Sequence, residues 1–150
     1  MKPPSDWLNI AYLLAIKAKE RDEVPVGALL VQEDKIIAKA HNLKESQQNP
    51  LAHAEILAIS KAAKKLNTWR LHGLTLIVTL EPCLMCLAAC QQARISKVIY
   101  GAKDHKGGAL SLGYFFNHDK RLNHRFEAVF YDFKPSGKIL SDFFKARRRV

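Results

Sequence analysis

The sequence predicts an α/β protein with three layers, helices covering both faces of a mixed five-stranded sheet. Three observations carry this. Apolar stretches of strand length alternate with apolar patterns of helical spacing. A tight turn separates the first two strand patterns, which makes them an antiparallel hairpin. A helical segment separates the third and fourth, which makes that pair parallel.

The elements follow in order. A first helix starts after Ser5, its expected N-cap. Trp7, Ile10, Ala11, Leu14 and Ala18 recur along it at helical spacing. "VGALLV", residues 26 to 31, is a buried strand, and "KIIAKAH", residues 35 to 41, follows the turn "QEDK" as the second. Residues 42 to 52 are polar and loop-like. From about Ala52 to Leu66 the pattern is helical, with Ile56, Ile59 and Ala63 on one face. "LTLIVTL" is the third strand. The next helix opens near Pro82, which suits a first turn, and runs to about Ala93. "KVIYGA" is the fourth strand. Residues 103 to 125, rich in Gly, His, Asn and Lys, read as a long functional loop. "EAVFYDF" is the fifth strand, and a last helix carries Ile139, Leu140, Phe143 and Phe144 into the basic end "KARRRV". No repeat, low-complexity segment or linker interrupts the pattern, so residues 1–150 read as one domain of ordinary size.

Composition bounds the function. A hydrophobic content of 48% is enough for a core, and 9% aromatic residues argue against disorder. The net charge is +10, from 24 Lys and Arg against 14 Asp and Glu. That excess points to a polyanionic partner; the competing reading is plain solubility. A membrane surface would call for a basic amphipathic helix with a broad apolar face. "MKPPSDW" contains no apolar signal-peptide core, and runs such as "LTLIV" are too short to span a bilayer. Three cysteines make an odd count that does not suggest a secreted disulfide framework, so a reducing, cytoplasmic setting is expected.

The chemistry lies in two stretches. "EPCLMC" holds Cys83 and Cys86, whose sulfurs share one face at i and i+3 of a helix. Its first turn offers free N–H groups and the positive end of the helix dipole, which favour thiolate. Such a pair alone is compatible with redox chemistry or with half of a structural zinc site. "NPLAHAEILAI" places His53 two residues before Glu55 at the head of a helix. Cys90, one turn beyond Cys86, reads as a core residue. Among the six histidines only His53 stands at a helix head beside a carboxylate. His53, Cys83 and Cys86 then leave one tetrahedral position open, the pattern of a catalytic zinc, one per subunit, whose bound water is the nucleophile. Glu55 is placed to move that water's proton; its competing reading is a solvated or capping acid. Residues i and i+2 do not face each other on a regular helix. Convergence on one water therefore demands that His53 sit in an irregular first turn, or that Glu55 reach around.

H-A-E followed by P-C-x-x-C resembles the signature of the zinc-dependent cytidine deaminase-like superfamily. Within it the chain resembles the bacterial tRNA-specific adenosine deaminases from its first helix to its last. "EVPVGALLV", "NPLAHAEILAI", "TWRL", "TLIVTLEPCLMC", "YGAKDHKGGALSL", "LNHRFE" and "LSDFFKARRR" carry that resemblance. Asn49, Pro50 and Leu51 stand where the family often has Asp-Pro-Thr.

The resemblance implies a cytidine deaminase-like fold and hydrolysis of adenosine to inosine at the wobble position of a tRNA anticodon loop, tRNA-Arg being the expected substrate. Water would attack carbon 6 of the flipped-out base. Glu55 would protonate the ring nitrogen and then the departing amino group. Asn42 would hydrogen-bond the base, its amide offering both donor and acceptor; as a residue alone it reads as a turn asparagine. Asp104 and Lys106 would contact flanking nucleotides. Phe144, Arg147 and Arg148 would close over the loop by stacking and phosphate contacts. The competing readings are Phe144 in the core and arginines that only favour a helix C-terminus. The family also implies a homodimer. Two other functions compete: a deaminase of a free base or nucleoside, of guanine or cytosine type, and a zinc module that binds RNA without catalysis. The basic C-terminal helix and the loop resemblance weigh against the first. Glu55 would be superfluous in the second.

Overall fold

Helix α1 (Pro4–Glu20) begins two residues earlier than the sequence suggests. In the computed structural model, which describes residues 2–148, Pro3 is the N-cap and Pro4 takes the first helical position. A proline there has the right φ and lacks an N–H that would have no helical partner anyway. Ser5 is inside the helix and makes no capping bond. Trp7, Leu8, Ala11, Leu14, Ala15 and Ala18 form the buried face, while Ile10 is half-buried. Each large side chain buried there contributes about 1.5–3 kcal/mol.

Strands β1 (Gly27–Gln32) and β2 (Lys35–His41) form the expected hairpin. Glu33 and Asp34 turn it with φ of 48° and 63°, the left-handed pair whose twist matches the strands. Gly27 is needed because a Cβ there would collide with the Ala11 carbonyl, so α1 crosses β1 in backbone contact.

With β3 (Thr75–Val78), β4 (Lys97–Tyr100) and β5 (Glu127–Phe130), the sheet order is β2-β1-β3-β4-β5. β1 is antiparallel to both neighbours; β3, β4 and β5 run parallel. Side chains alternate between the faces. Leu29, Val31, Ile77 and Ile99 pack on Trp7, Leu8, Ala11 and Leu14 of α1. Ala28, Leu30, Leu76, Val78 and Val98 belong to a second cluster with residues of α3 (Ala54–Leu66) and α4 (Leu84–Gln92). Helix α5 (Lys134–Arg148) packs beside α1. The layers are therefore helix, sheet, helix, as expected. No helix among the described residues is long and apolar enough to cross a membrane.

Two expectations change. Residues 42 to 52 are not all loop: α2 (Lys44–Gln47) is a single helical turn, closed by Gln48 in the left-handed region. The buried face of α3 is Ala54, Glu55, Ala58 and Ala62, with Ile56, Ile59 and Ala63 only half-buried. Alanines at i and i+4 let the helix approach the sheet closely, and the same face carries a carboxylate inward.

The strands β3, β4 and β5 are shorter than their apolar runs. Beyond Val78 the chain leaves the ladder to build the site. There Thr79 Oγ1 accepts the Gly27 N–H at 3.1 Å, and the Glu81 N–H donates to the Ala102 carbonyl at 2.8 Å.

Candidate active site

Two helix N-termini converge at one end of the sheet. His53 is the N-cap of α3, extended at φ −76° and ψ 149°. This meets the demand that the sequence placed on it: His53 lies outside the regular helix and Glu55 inside its first turn. Cys83 is the N-cap of α4, also extended, and the helix opens at Leu84 rather than near Pro82. Cys86 follows in the first turn. His53 Nδ1 lies 3.6 Å from Cys83 Sγ and 3.5 Å from Cys86 Sγ. All three ligand atoms fall within 4.8 Å of one another. A tetrahedral zinc with sulfur at about 2.3 Å and nitrogen at about 2.0 Å has N···S edges of about 3.5 Å. The three side chains therefore fit such an ion and leave its fourth corner open. Cys90 is fully buried in the core, as read.

Protonation follows the geometry. The Cys86 thiol faces Cys83, and with His53 beside it the Cys83 thiol is pushed down to about 4. Cys86, sharing that proton and buried, is pushed up. The contact with Cys83 raises His53. Burial drives Glu55 up to about 7, only partly offset by its own backbone N–H. A carboxyl that changes charge near neutral pH is suited to take a proton and return it.

His53, Glu55 and Cys83 line a pocket of about 150 Å³ that Asn42, Asp104, Val26 and Leu80 also line, with Cys86 buried behind them. A cavity of that volume holds one aromatic ring system. Asn42 changes meaning here. Its Oδ1 accepts the Ala54 N–H at 2.7 Å, satisfying a free amide at the start of α3. The acceptor half of the amide serves the helix, and the donor half takes no part in that bond. Asn49 Oδ1 accepts the Leu51 N–H at 3.0 Å, so the amide makes the local turn that a carboxylate would.

Of the other expected contacts, Asp104 reaches the pocket rim, and its Oδ1 accepts the N–H groups of Lys106 and Gly107. Lys106, Phe144, Arg147 and Arg148 do not line the pocket. Phe144 is 44% exposed; the core position is Phe143, which Phe144 meets edge-on. Arg147 lies 4.4 Å over the Phe143 ring and donates through Nη2 to the Asp22 carbonyl at 2.7 Å. Arg148 is exposed at the end of α5.

Two residues escaped the sequence reading. Glu23 and Glu81 both line the pocket and are 1% and 2% exposed. Glu81 had one legible signal. A carboxylate closing an apolar strand must be buried there, and a buried carboxylate requires donors.

The chain is similar to known proteins over nearly its whole length. The MafB19-like deaminase family matches residues 4–148. The tRNA-specific adenosine deaminase of Bacillus subtilis is 48% identical over 144 residues, covering 95% of this chain and 89% of that protein. The enzyme of the same name from Aquifex aeolicus is 45% identical over 142 residues, covering 95% and 94%. A solved structure from a study of A-to-I editing by tRNA:A34 deaminases superimposes with a TM-score of 0.82 at 41% identity. It covers 89% of this chain and 97% of its own.

Proposed function

Because the chain belongs to the family of tRNA-specific adenosine deaminases, we propose that it hydrolyses adenosine to inosine at the wobble position of a tRNA anticodon loop and releases ammonia. The observation that carries this is the open triangle of His53, Cys83 and Cys86 beside the buried carboxyl of Glu55. His53 Nδ1 and the two sulfurs would hold one zinc ion per subunit. Zinc in such a site supplies an activated water at neutral pH.

The chain's own residues do the rest. Glu55 takes a proton from the attacking water and delivers it to the ring nitrogen of the base. It then takes the second proton from the new hydroxyl on carbon 6 and passes it to the amino group, so that the C–N bond breaks, the carbonyl forms and ammonia departs. The Asn42 Nδ2 donates to an acceptor on the purine edge. Val26 and Leu80 give the base an apolar seat. Asp104 stands at the rim where a flanking nucleotide passes.

Lys106, Phe144, Arg147 and Arg148 are assigned to the surrounding RNA, with tRNA-Arg as the substrate. A net charge of +10 supports an RNA partner. Exposed Leu112, Tyr114 and Phe115 support a second copy of the chain covering that loop in a homodimer. Three free cysteines are consistent with work in the reducing cytoplasm, and the whole chain is taken to act as one domain.

The test is inosine formation and ammonia release from a tRNA-Arg anticodon stem–loop, run against free adenosine, guanine and cytosine. Turnover of the stem–loop alone is expected. Turnover of a free base with an inert stem–loop would overturn the proposal.

A further inference from the structure

Glu23 and Glu81 both line the pocket and make the same set of contacts. Glu23 Oε1 accepts the Glu45 N–H at 2.9 Å, and Oε2 accepts the Ser46 N–H at 2.7 Å and the Ser46 hydroxyl at 2.6 Å. Glu81 Oε1 accepts the Asp104 N–H at 3.1 Å and the Ser111 hydroxyl at 2.6 Å, and Oε2 accepts the Ser111 N–H at 2.8 Å. Each is a buried carboxylate that takes two backbone amides and one serine hydroxyl from a neighbouring segment, the exposed turn of α2 for Glu23 and the partly buried loop of residues 104 to 111 for Glu81.

We propose that Glu23 and Glu81 are positioning residues that clamp two segments bordering the substrate pocket, Glu23 holding α2 and Glu81 holding residues 104 to 111. This rests on the deaminase reading for what the pocket receives. Neither residue touches the reacting atoms.

The chemistry requires a carboxylate. Every partner is a donor, so both oxygens must accept. A glutamine would turn its own NH2 group toward an N–H or O–H on one side or the other, leaving a buried donor unpaired. Burial without these bonds would be costly, and the charge-assisted bonds are stronger than neutral ones.

The loop is shaped to the carboxylate in return. A Cβ at Gly108 would run into the Glu81 carboxylate, and would meet the Asp104 carbonyl at 2.7 Å. Only glycine lets the loop pass over Glu81. That passage also pairs Gly108 with the backbone of Cys83, and the Ala109 N–H with the Pro82 carbonyl at 2.9 Å. Glu81 thereby fixes the Asp104 rim at a set position relative to the metal-ligand segment. Glu23 does the same for Lys44 and Glu45, which both line the pocket. Two preset rims avoid the ordering cost that mobile loops would add on binding a flexible RNA loop.

The test uses the zinc-loaded full chain with Glu81→Gln, Glu23→Gln, Gly108→Ala and Ser111→Ala. Amide hydrogen exchange reads each rim. Glu81→Gln and Gly108→Ala should speed exchange at residues 104 to 111 by about 10-fold or more while residues 44 to 47 stay protected; Glu23→Gln should do the reverse. KM for the anticodon stem–loop should rise by about 10-fold with kcat within about 3-fold and zinc content unchanged. Ser111→Ala removes one hydroxyl from an exposed residue and leaves the fold intact. It should show the same split at about 2- to 5-fold.

Unchanged exchange in the clamped segment, equal loosening of both rims, loss of zinc, or an unchanged KM would each overturn the clamps. Segment-selective exchange in the variants, with wild-type protein inert on the stem–loop, would bear out the clamps and overturn the deaminase reading instead.

Discussion

His53 Nδ1 lies 3.5 Å from Cys86 Sγ across 33 residues of chain. Strand β3 and two helix caps close that distance. The contact brings an imidazole nitrogen against a sulfur that burial and its neighbour Cys83 keep protonated. A thiolate, a thiol and an imidazole crowded together gain most when a cation takes the place of the proton they share.

Metal removal is therefore predicted to cost both stability and activity. Chelation should lower the melting temperature and abolish deamination, and added zinc should restore both. Cys86→Ser should reduce bound zinc from about one per chain to a small fraction, since an alcohol is a far weaker ligand than thiolate. Elemental analysis showing full zinc in that variant would refute the ligand set.

Glu55→Ala is expected to retain zinc and lose activity. Removing the proton carrier should cost about 100- to 10,000-fold in kcat. Single-turnover inosine formation, measured beside zinc content, separates this from a folding defect. Near-normal turnover with the metal in place would rule out Glu55 as the shuttle.

The raised Glu55 carboxyl also makes a stability prediction for the metal-free protein. Its folded value is pushed up to about 7 from an ordinary 4.5. The folded state thus prefers the protonated form. The stability this gives is full below about 4.5 and is lost as pH rises through about 7. At pH 8 metal-free Glu55→Gln should be more stable than wild type by on the order of 1–3 kcal/mol, an advantage that vanishes near pH 4. Urea denaturation across that range checks the sign.

The helix-capping bond of Asn42 and its proposed contact with the base can be separated by substitution. Asn42→Asp keeps an acceptor for the Ala54 N–H and should keep wild-type stability. Asn42→Ala should lose about 0.5–2 kcal/mol as the helix start goes uncapped. Both lose the Nδ2 donor, so both should bind the stem–loop poorly. An aspartate variant with full affinity would show that the donor half has no role in binding the base.

Salt should weaken tRNA binding steeply, with a slope that counts phosphate contacts. Lys106→Ala should flatten it by about 0.7, the value for one contact to single-stranded RNA. Arg147→Ala should flatten it less, because its Nη2 already donates to the Asp22 carbonyl. Equal effects would mean that Arg147 leaves that carbonyl to reach the RNA.

The site's chemistry was legible because it depends on residue type at short spacing. His53 with Glu55, and Cys83 with Cys86, are local pairs, and the need for an open fourth position follows from counting ligands. The strand alternation and the "QEDK" turn likewise fixed the hairpin, since both are properties of neighbouring residues. The demand that His53 lie off the regular helix could be stated from the two-residue spacing alone, and its capping position meets it.

What the chain could not reveal locally are contacts between segments distant in sequence. Nothing near Glu81 shows that Ser111, 30 residues on, will close over it. Nothing near Asn42 shows that its oxygen will cap a helix 12 residues away. The periodicity of α3 pointed to Ile56 and Ile59, while packing chose Ala54, Ala58 and Ala62, because close approach to the sheet favours the smallest side chains. Sequence by itself pointed to the group of His53, Cys83 and Cys86, to Glu55 beside it and to the class of fold, which rest on chemistry within a few residues. Tertiary structure decided which polar groups are already satisfied, and so which atoms of Asn42, Glu23, Glu81 and Arg147 remain free to act, because a hydrogen bond is set by distance in space.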